Sequence, residues 1–561
     1  MAFIFCKTSL ACSPHPDLIE HNAYQKSLGV DVPDYQQLFA EWADKGVNQP
    51  SIYDFSLSSY SSGTAGTDTL NVLAILIEFP DQSASTAPEY FDTLIYENRQ
   101  GCVAHYYLEN SYGTLHFTTV TLCSDLGWLT AAENVSYYVD NQYGLGSYPN
   151  NAQKLVEEAV DAADAMVDYN DFDNNNDGIL DVLMIVHSGT GAELSGQTTD
   201  FWSHKWGINT RVRDGVSIST YSMMPEYYLS PGDMTCGVFC HELGHVFGLP
   251  DLYDRDYSSR GIGRFSIMAG GSWNGVLGGS PAHFDAWSKV QLGWATEVNV
   301  TSTTLDVEIP EVEHNPIVYR LWTSGALGDE YFLVENRQAY GYDAGLNYYG
   351  LLIWHVDDAM GVGYNSHDND DEYYPGHTSS GHFLVALEQA DGLWELEKNQ
   401  SSGNSGDPWP GSTDNRSFTP LTTPNSNDYN DDNTLVAITN ISDSDSLMTA
   451  DFTVSFASAA GDEEDFPLPS TFTLEQNTPN PFNPSTRINY SLPTAGNASV
   501  VVYNILGQNI NTLVDEFQDA GNYSIEWNGT DRDGRPVSSG IYFYRLTTID
   551  NSESKKMVLI K

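Results

Sequence analysis

The run His241-Glu242-Leu243-Gly244-His245-Val246-Phe247-Gly248-Leu249-Pro250-Asp251 constrains the fold more than any other part of this chain, because its residue types make sense only on a helix that ends in a turn. Residues four apart project from one helix face, so His241 and His245 can offer two imidazoles to a single metal ion, with Glu242 close enough to reach a water on that metal. Gly248 can adopt the backbone conformation that ends a helix. Leu249-Pro250 then turns the chain so that Asp251 returns as a third, oxygen ligand, with Asp254 as the alternative. Three such ligands leave one position of a zinc tetrahedron open to water, and Glu242 is the candidate general base. A bare His-Glu-x-x-His arises by chance on ordinary helices; Gly248 and Asp251 at the extended spacing argue against chance here. A closed, purely structural site would need a fourth ligand. No His or Cys is placed for that by spacing, and Cys240 projects elsewhere on the helix.

At 561 residues the chain exceeds what one hydrophobic core can organise. Residues 1–66 read as a leader or prosegment, closing in the loop-type run Ser58 to Gly66. The apolar patch near its start is shorter than a signal-peptide core, although Ser9 to Ser13 has the small-residue character of a cleavage region. Residues 67–300 alternate strands and helices: a strand over 72–79, a helix over 90–108, a strand over 115–121, a helix over 151–167 and a buried strand over 179–186. A β-rich unit over 301–456 follows, then an acidic, proline-bearing linker at 457–470. The module over 471–561 has strands near 486–492, 499–505, 523–527 and 540–546 and reads as an Ig-like β-sandwich. The fold class expected is therefore α+β and multidomain.

The 23 Lys and Arg residues against 76 Asp and Glu give a formal charge of −53, and that field repels nucleic acid and anionic membrane alike. No stretch approaches the roughly 18 apolar residues of a membrane-spanning helix. Six cysteines are too few for a disulfide framework in a chain of this length. Cys102 and Cys123 could pair across two neighbouring elements, whereas Cys236 and Cys240, one helical turn apart, fit free thiols, a strained bridge or helix packing, and packing best.

Two further segments carry chemistry. Phe265 to Gly271 places Met268 in a small-residue turn of the kind found below the metal in metzincin peptidases. Upstream, Asp173, Asn175, Asp177 and Asp181, with the Ile179 carbonyl and Gly178 at the sixth place, match a calcium loop. Its twelfth position is Met184 and not Glu, so this is no EF-hand, and another segment must complete the shell.

The zinc segment, with Gly237-Val238-Phe239-Cys240 before it and Leu252-Tyr253-Asp254 after it, resembles the immune inhibitor A family of secreted bacterial zinc endopeptidases. Leu108 to Leu115, Tyr331 to Gln338, Gly350 to Asp357 and Glu388 to Gly392 are similar to the same family. The resemblance covers about residues 70–455. It implies a metzincin-like zincin fold, zinc held by His241, His245 and Asp251, Glu242 as base, structural calcium, and protein or peptide substrates outside the cell. Leu474 to Thr486, Val502 to Gln508, Gly540 to Leu546 and the ending Lys555 to Lys561 resemble the C-terminal sorting domain of type IX secretion cargo. That implies an outer-membrane secretion machinery as partner and a secreted or cell-surface location. The rival expectation is an inactive extracellular adhesin or binding protein that keeps the peptidase fold.

Overall fold

The computed structural model describes residues 68–455, apart from 256, 361–368, 370, 371 and 378–380, together with isolated positions before residue 48 and most of 472–560. The expected linker at 457–470 and nearly all of the leader at 1–66 lie outside the described residues. The chain divides into two compact units, residues 1–455 and 456–561.

A five-stranded sheet organises the first unit. It is built from β2 (Leu73–Glu78), β4 (Trp128–Thr130), β5 (Leu183–Thr190), β6 (His204–Arg213) and β7 (Val216–Tyr227) in the order β4-β2-β5-β7-β6; a small parallel pair, β1 (Asp68–Asn71) and β3 (Leu115–Thr118), lies outside it. Neighbours are parallel except β6, which runs antiparallel to β7. Strand β2 is almost entirely apolar because both of its faces are covered. Its alternation sorts them: Leu73, Ile75 and Ile77 join the cluster around helix α3 (Ala152–Ala163), while Ala74 and Leu76 join the one around helix α4 (Cys236–Val246). The sheet is thus a wall between two helices.

The helix expected over 90–108 is two, α1 (Pro88–Tyr96) and α2 (Val103–Asn110), parted by a turn in which Gly101 takes φ +90° and the Cys102 amide bonds back to Arg99. Apolar periodicity runs through both pieces, so the pattern alone does not mark the break. Asn151 caps α3 by accepting from the Lys154 amide, and the helix ends at Ala163. The strand expected over 179–186 starts only at Leu183, because Asp173 to Asp181 is occupied by a loop. Cys102, Cys123, Cys236 and Cys240 are buried free thiols, so the Cys102–Cys123 pairing is not formed.

After helix α5 (Ala286–Gln291) the unit is β-rich. Strands β8 (Thr296–Asn299), β10 (Ile317–Leu321), β11 (Glu330–Arg337), β12 (Gly350–Asp357) and β13 (Val385–Leu387) make a second five-stranded sheet in the order β13-β12-β11-β10-β8. Strand β9 (Thr304–Pro310) pairs with β15 (Leu447–Thr453), which also pairs with β14 (Ala437–Thr439). One apolar cluster extends from Leu70 through α4 to Leu333, Trp354 and Leu396, so the second sheet packs into the same core as helix α4.

The second unit is all β. One sheet holds β16 (Thr473–Leu474), β17 (Thr486–Leu492) and β20 (Gly521–Trp527); the other holds β18 (Gly496–Asn504), β19 (Asn509–Gln518), β21 (Gly540–Thr547) and β22 (Ser552–Leu559). Alternating inward residues such as Ile488, Tyr490, Val500, Val502, Tyr544 and Leu546 form its core, as in a sandwich.

Candidate metal centre

Helix α4 is apolar nearly all round, and every residue from Cys236 to Val246 is buried. It ends where the sequence predicts. Gly248 takes φ +89°, and the Leu249 amide bonds back to the Gly244 carbonyl. The turn carries Asp251 under the helix. His241 Nε2 and His245 Nε2 stand 3.2 Å apart, and each is 3.2 Å from Asp251 Oδ1. All three side chains, and Glu242 beside them, are buried.

The hydrogen bonds of the two imidazoles fix what they present. His241 Nδ1 lies 2.8 Å from the Ile267 carbonyl and His245 Nδ1 lies 2.8 Å from the Leu249 carbonyl. A carbonyl only accepts, so each Nδ1 carries the proton and each Nε2 turns a lone pair inward. Both oxygens of Asp251 are buried without a hydrogen bond. With both rings neutral, three electron-pair donors face one point, an arrangement that a cation relieves. An equilateral set with 3.2 Å edges fits a tetrahedral centre about 2.0 Å from each atom, the span of zinc to nitrogen and carboxylate oxygen. The donor set fits zinc. Among the described residues this is the sole group of three His, Cys, Asp or Glu side chains whose ligand atoms lie within 4.8 Å of one another.

Met268 lies directly below. A methyl group built on Gly244 would stand 2.4 Å from Met268 Sδ, so the glycine inside the helix allows this close approach. The turn around Met268 also holds both ends of the donor set: the Ile267 carbonyl takes the His241 proton, and the Met268 carbonyl accepts from the Leu252 amide next to Asp251. Ser266 Oγ donates to Asp285 at 2.7 Å, and Asp285 caps α5 through the Ser288 amide. Sequence reasoning missed Asp285, although an Asp just before a helix with Ser three residues on is a capping signal. Asp254 is placed elsewhere, accepting from the Ser259 amide and from Ser258.

The 173–181 loop is closed by its own bonds. Asp173 accepts from the Asp177 and Gly178 amides, Asn175 from Asp177, and Asp177 from Ile179. Asp181 accepts from the backbone and side-chain nitrogens of Asn174, a contributor the calcium pattern did not include. Burial pushes the Asp181 carboxyl up to about 6, against the Asn174 hydrogen bonds and with Asp177 and Asp173 adding to the rise. Asp173, Asp177 and Asp181 do not converge as closely as the His241 set.

Residues 89–295 match the family model of the Immune inhibitor A peptidase M6 catalytic domain. The chain carries an immune inhibitor A-like M6 peptidase domain. Over 194 residues it is 36% identical to the Pre-pro-metalloprotease PrtV of Vibrio cholerae serotype O1, a match covering 29% of this chain and 21% of that protein. Over 216 residues it is 33% identical to Immune inhibitor A of Bacillus thuringiensis subsp. alesti, covering 33% of this chain and 30% of that one. The chain thus spans less than a third of the length of either relative. Residues 483–552 match the FlgD Ig-like domain. A solved FlgD from P. aeruginosa is 25% identical over 13% of this chain and 57% of its own, with a TM-score of 0.11.

Replacing Gly244 with alanine is expected to lower stability by about 1–3 kcal/mol through overpacking on Met268, despite the better helix propensity of alanine. Urea unfolding reads this directly, and an unchanged midpoint would mean that helix and turn do not meet as described.

Proposed function

We propose that the protein is a zinc-dependent endopeptidase that hydrolyses peptide bonds of extracellular proteins. The observation that carries this is the inward-facing set of His241 Nε2, His245 Nε2 and Asp251 Oδ1, with Glu242 on the same helix. Similarity to the Pre-pro-metalloprotease PrtV and to Immune inhibitor A supports it. Zinc held by these residues supplies Lewis-acid polarisation of the scissile carbonyl and lowers the pKa of a water to about 7. Glu242 accepts the proton of the water whose oxygen attacks the carbonyl carbon, and passes it to the amine nitrogen as the C–N bond breaks. The Ile267 carbonyl keeps the His241 ring in register. A sheet that is parallel except for one antiparallel edge strand, together with the Met268 turn, supports a metzincin-like arrangement.

Two finer readings belong to this proposal. Calcium in the 173–181 loop, on Asp173, Asn175, Asp177, Asp181 and the Ile179 carbonyl, would offset the burial that raises the Asp181 carboxyl, and the smaller repulsion from Asp177 and Asp173. The C-terminal unit, whose opening and closing segments resemble type IX sorting domains, serves export through an outer-membrane secretion machinery to the medium or cell surface. Among the described residues no helix is long and apolar enough to cross a membrane.

Wild type, after removal of the N-terminal segment, is expected to cleave unfolded casein. A zinc chelator should abolish this. Glu242→Ala should bind zinc as wild type does yet lose at least about 100-fold in rate, the low end of what a positioned general base contributes. Equal cleavage by Glu242→Ala, or an inert wild type, would leave the binding-protein reading in place. Calcium added to calcium-free protein should raise the melting temperature, by about 2.7 kcal/mol of stabilisation at a hundredfold excess over Kd, and Asp173→Ala should remove the shift; an equal shift in both would place the ion elsewhere. Deleting 471–561 should trap the chain inside a host that has type IX secretion while leaving casein cleavage intact, and continued export would refute the sorting role.

A further inference from the structure

Arg337 ends strand β11 and lies outside the peptidase-like residues 89–295, yet its side chain is fully buried against them. A charged residue is almost never fully buried without partners. Its charge is met by Glu335 Oε1 at 2.6 Å and by the Asp343 carboxylate at 3.3 Å. Two further donations go elsewhere: Nη1 to the Phe265 carbonyl at 3.3 Å and Nη2 to the Phe284 carbonyl at 3.1 Å.

Those two carbonyls open the segments that form the floor of the metal centre. Phe265 precedes Ser266, Ile267 and Met268; Phe284 precedes Asp285. The segments are bound to each other by Ser266 Oγ on Asp285 and by the Ile267 amide on the His283 carbonyl at 3.3 Å. Asp343 reaches the same floor by accepting from the His283 amide at 3.0 Å. From the floor, the Ile267 carbonyl holds His241 Nδ1 and the Met268 carbonyl holds the amide beside Asp251.

We propose that Arg337 is a positioning residue for the metal centre, its planar guanidinium fixing the spacing of the 265–268 and 283–285 segments and hence the aim of His241 and Asp251. This rests on the zinc reading above. Stability alone accounts poorly for the arrangement, since apolar residues of similar volume replace buried ion triads at little or no cost. An apolar side chain cannot, however, donate at fixed angles to two carbonyls on neighbouring segments. The β-rich part of the first unit therefore completes the outer shell of a site whose ligands all lie in the peptidase-like part.

Two variants of the full chain test this: Arg337→Lys, which keeps the charge and loses the fork, and the triple Glu335→Gln/Arg337→Met/Asp343→Asn, which removes the charges together so that none is stranded. Melting curves, zinc affinity by competition with a chromophoric chelator, and the visible spectrum of the cobalt-substituted chain are read for each. Both variants are expected to melt cooperatively. The triple variant should lose roughly 10–100-fold in zinc affinity and shift the cobalt bands, with Arg337→Lys in between. A folded triple variant with wild-type affinity and spectrum overturns the proposal. Loss of cooperative melting in both variants overturns it too, because support of the whole fold would then explain everything. If wild type itself binds no zinc, the zinc reading fails and this inference falls with it; if wild type binds and the variants match it, only the positioning role fails.

Discussion

Two imidazole lone pairs and a carboxylate oxygen held 3.2 Å from one another repel, and all three side chains are buried. Little screening reaches them there. Left to themselves they would turn apart, and the protein prevents this at every contact. The Ile267 and Leu249 carbonyls take the outer protons of the two rings, so neither can present an N–H inward without giving up a buried hydrogen bond. Asp251 is carried in by a turn whose next residue, Leu252, is bonded to Met268. The surrounding fold is a means of keeping three mutually repelling atoms aimed at one place, which is what pre-forms a metal site.

Packing overrides local preference to achieve it. Helix α4 contains Gly237 and Gly244, each costing up to about 1 kcal/mol in helix propensity relative to alanine. Both are where a methyl group would collide: 2.1 Å from the Ser272 carbonyl at Gly237, and 2.4 Å from Met268 Sδ at Gly244. The helix is a weak former on its own and is held by tertiary contact on all sides, including the Tyr107 hydroxyl on the Cys240 carbonyl. Any shift of the 265–278 region is therefore felt at the helix, because close-packed interiors transmit displacement.

Much of this was legible in the residues. Four-residue spacing put His241 and His245 on one helix face, Gly248 marked the end of that helix, and the apolar run of β2 and the 3.6-residue periodicity of α3 marked a strand and a helix. Other features leave no mark on side-chain order. The supports of both imidazoles are backbone carbonyls, and any residue supplies one. The break between α1 and α2 depends on a turn at Gly101 that interrupts an otherwise continuous helical pattern. Alternation of Asp and Asn over 173–181 suits a calcium loop and an Asx-bonded turn equally, because in both the same oxygens point toward the loop's interior. Arg337 was invisible as a contributor because its partners in the floor are 72 and 53 residues away.

The charge imbalance bears on where such residues sit. With 23 basic side chains against 76 acidic ones, cations are scarce, and yet Arg337 and Lys289 are both completely buried. Lys289 Nζ lies 3.2 Å from His283 Nδ1 and 3.3 Å from the Tyr112 hydroxyl, and His283 Nε2 lies 2.7 Å from Glu109. Burial pulls the Lys289 ammonium down, the neighbouring Arg337 adds to this, and Glu335 and Asp343 oppose it. These groups come from α2, α5, β11 and the segment after β11, so the network spans the peptidase-like part and the second sheet at once. Removing one member of such a network typically costs about 3–5 kcal/mol, because its partners are left as uncompensated buried charges. The two parts of the first unit are thereby tied together by electrostatics as well as by a shared apolar core, and the tie passes through the 265–268 and 283–285 segments beside His241 and Asp251.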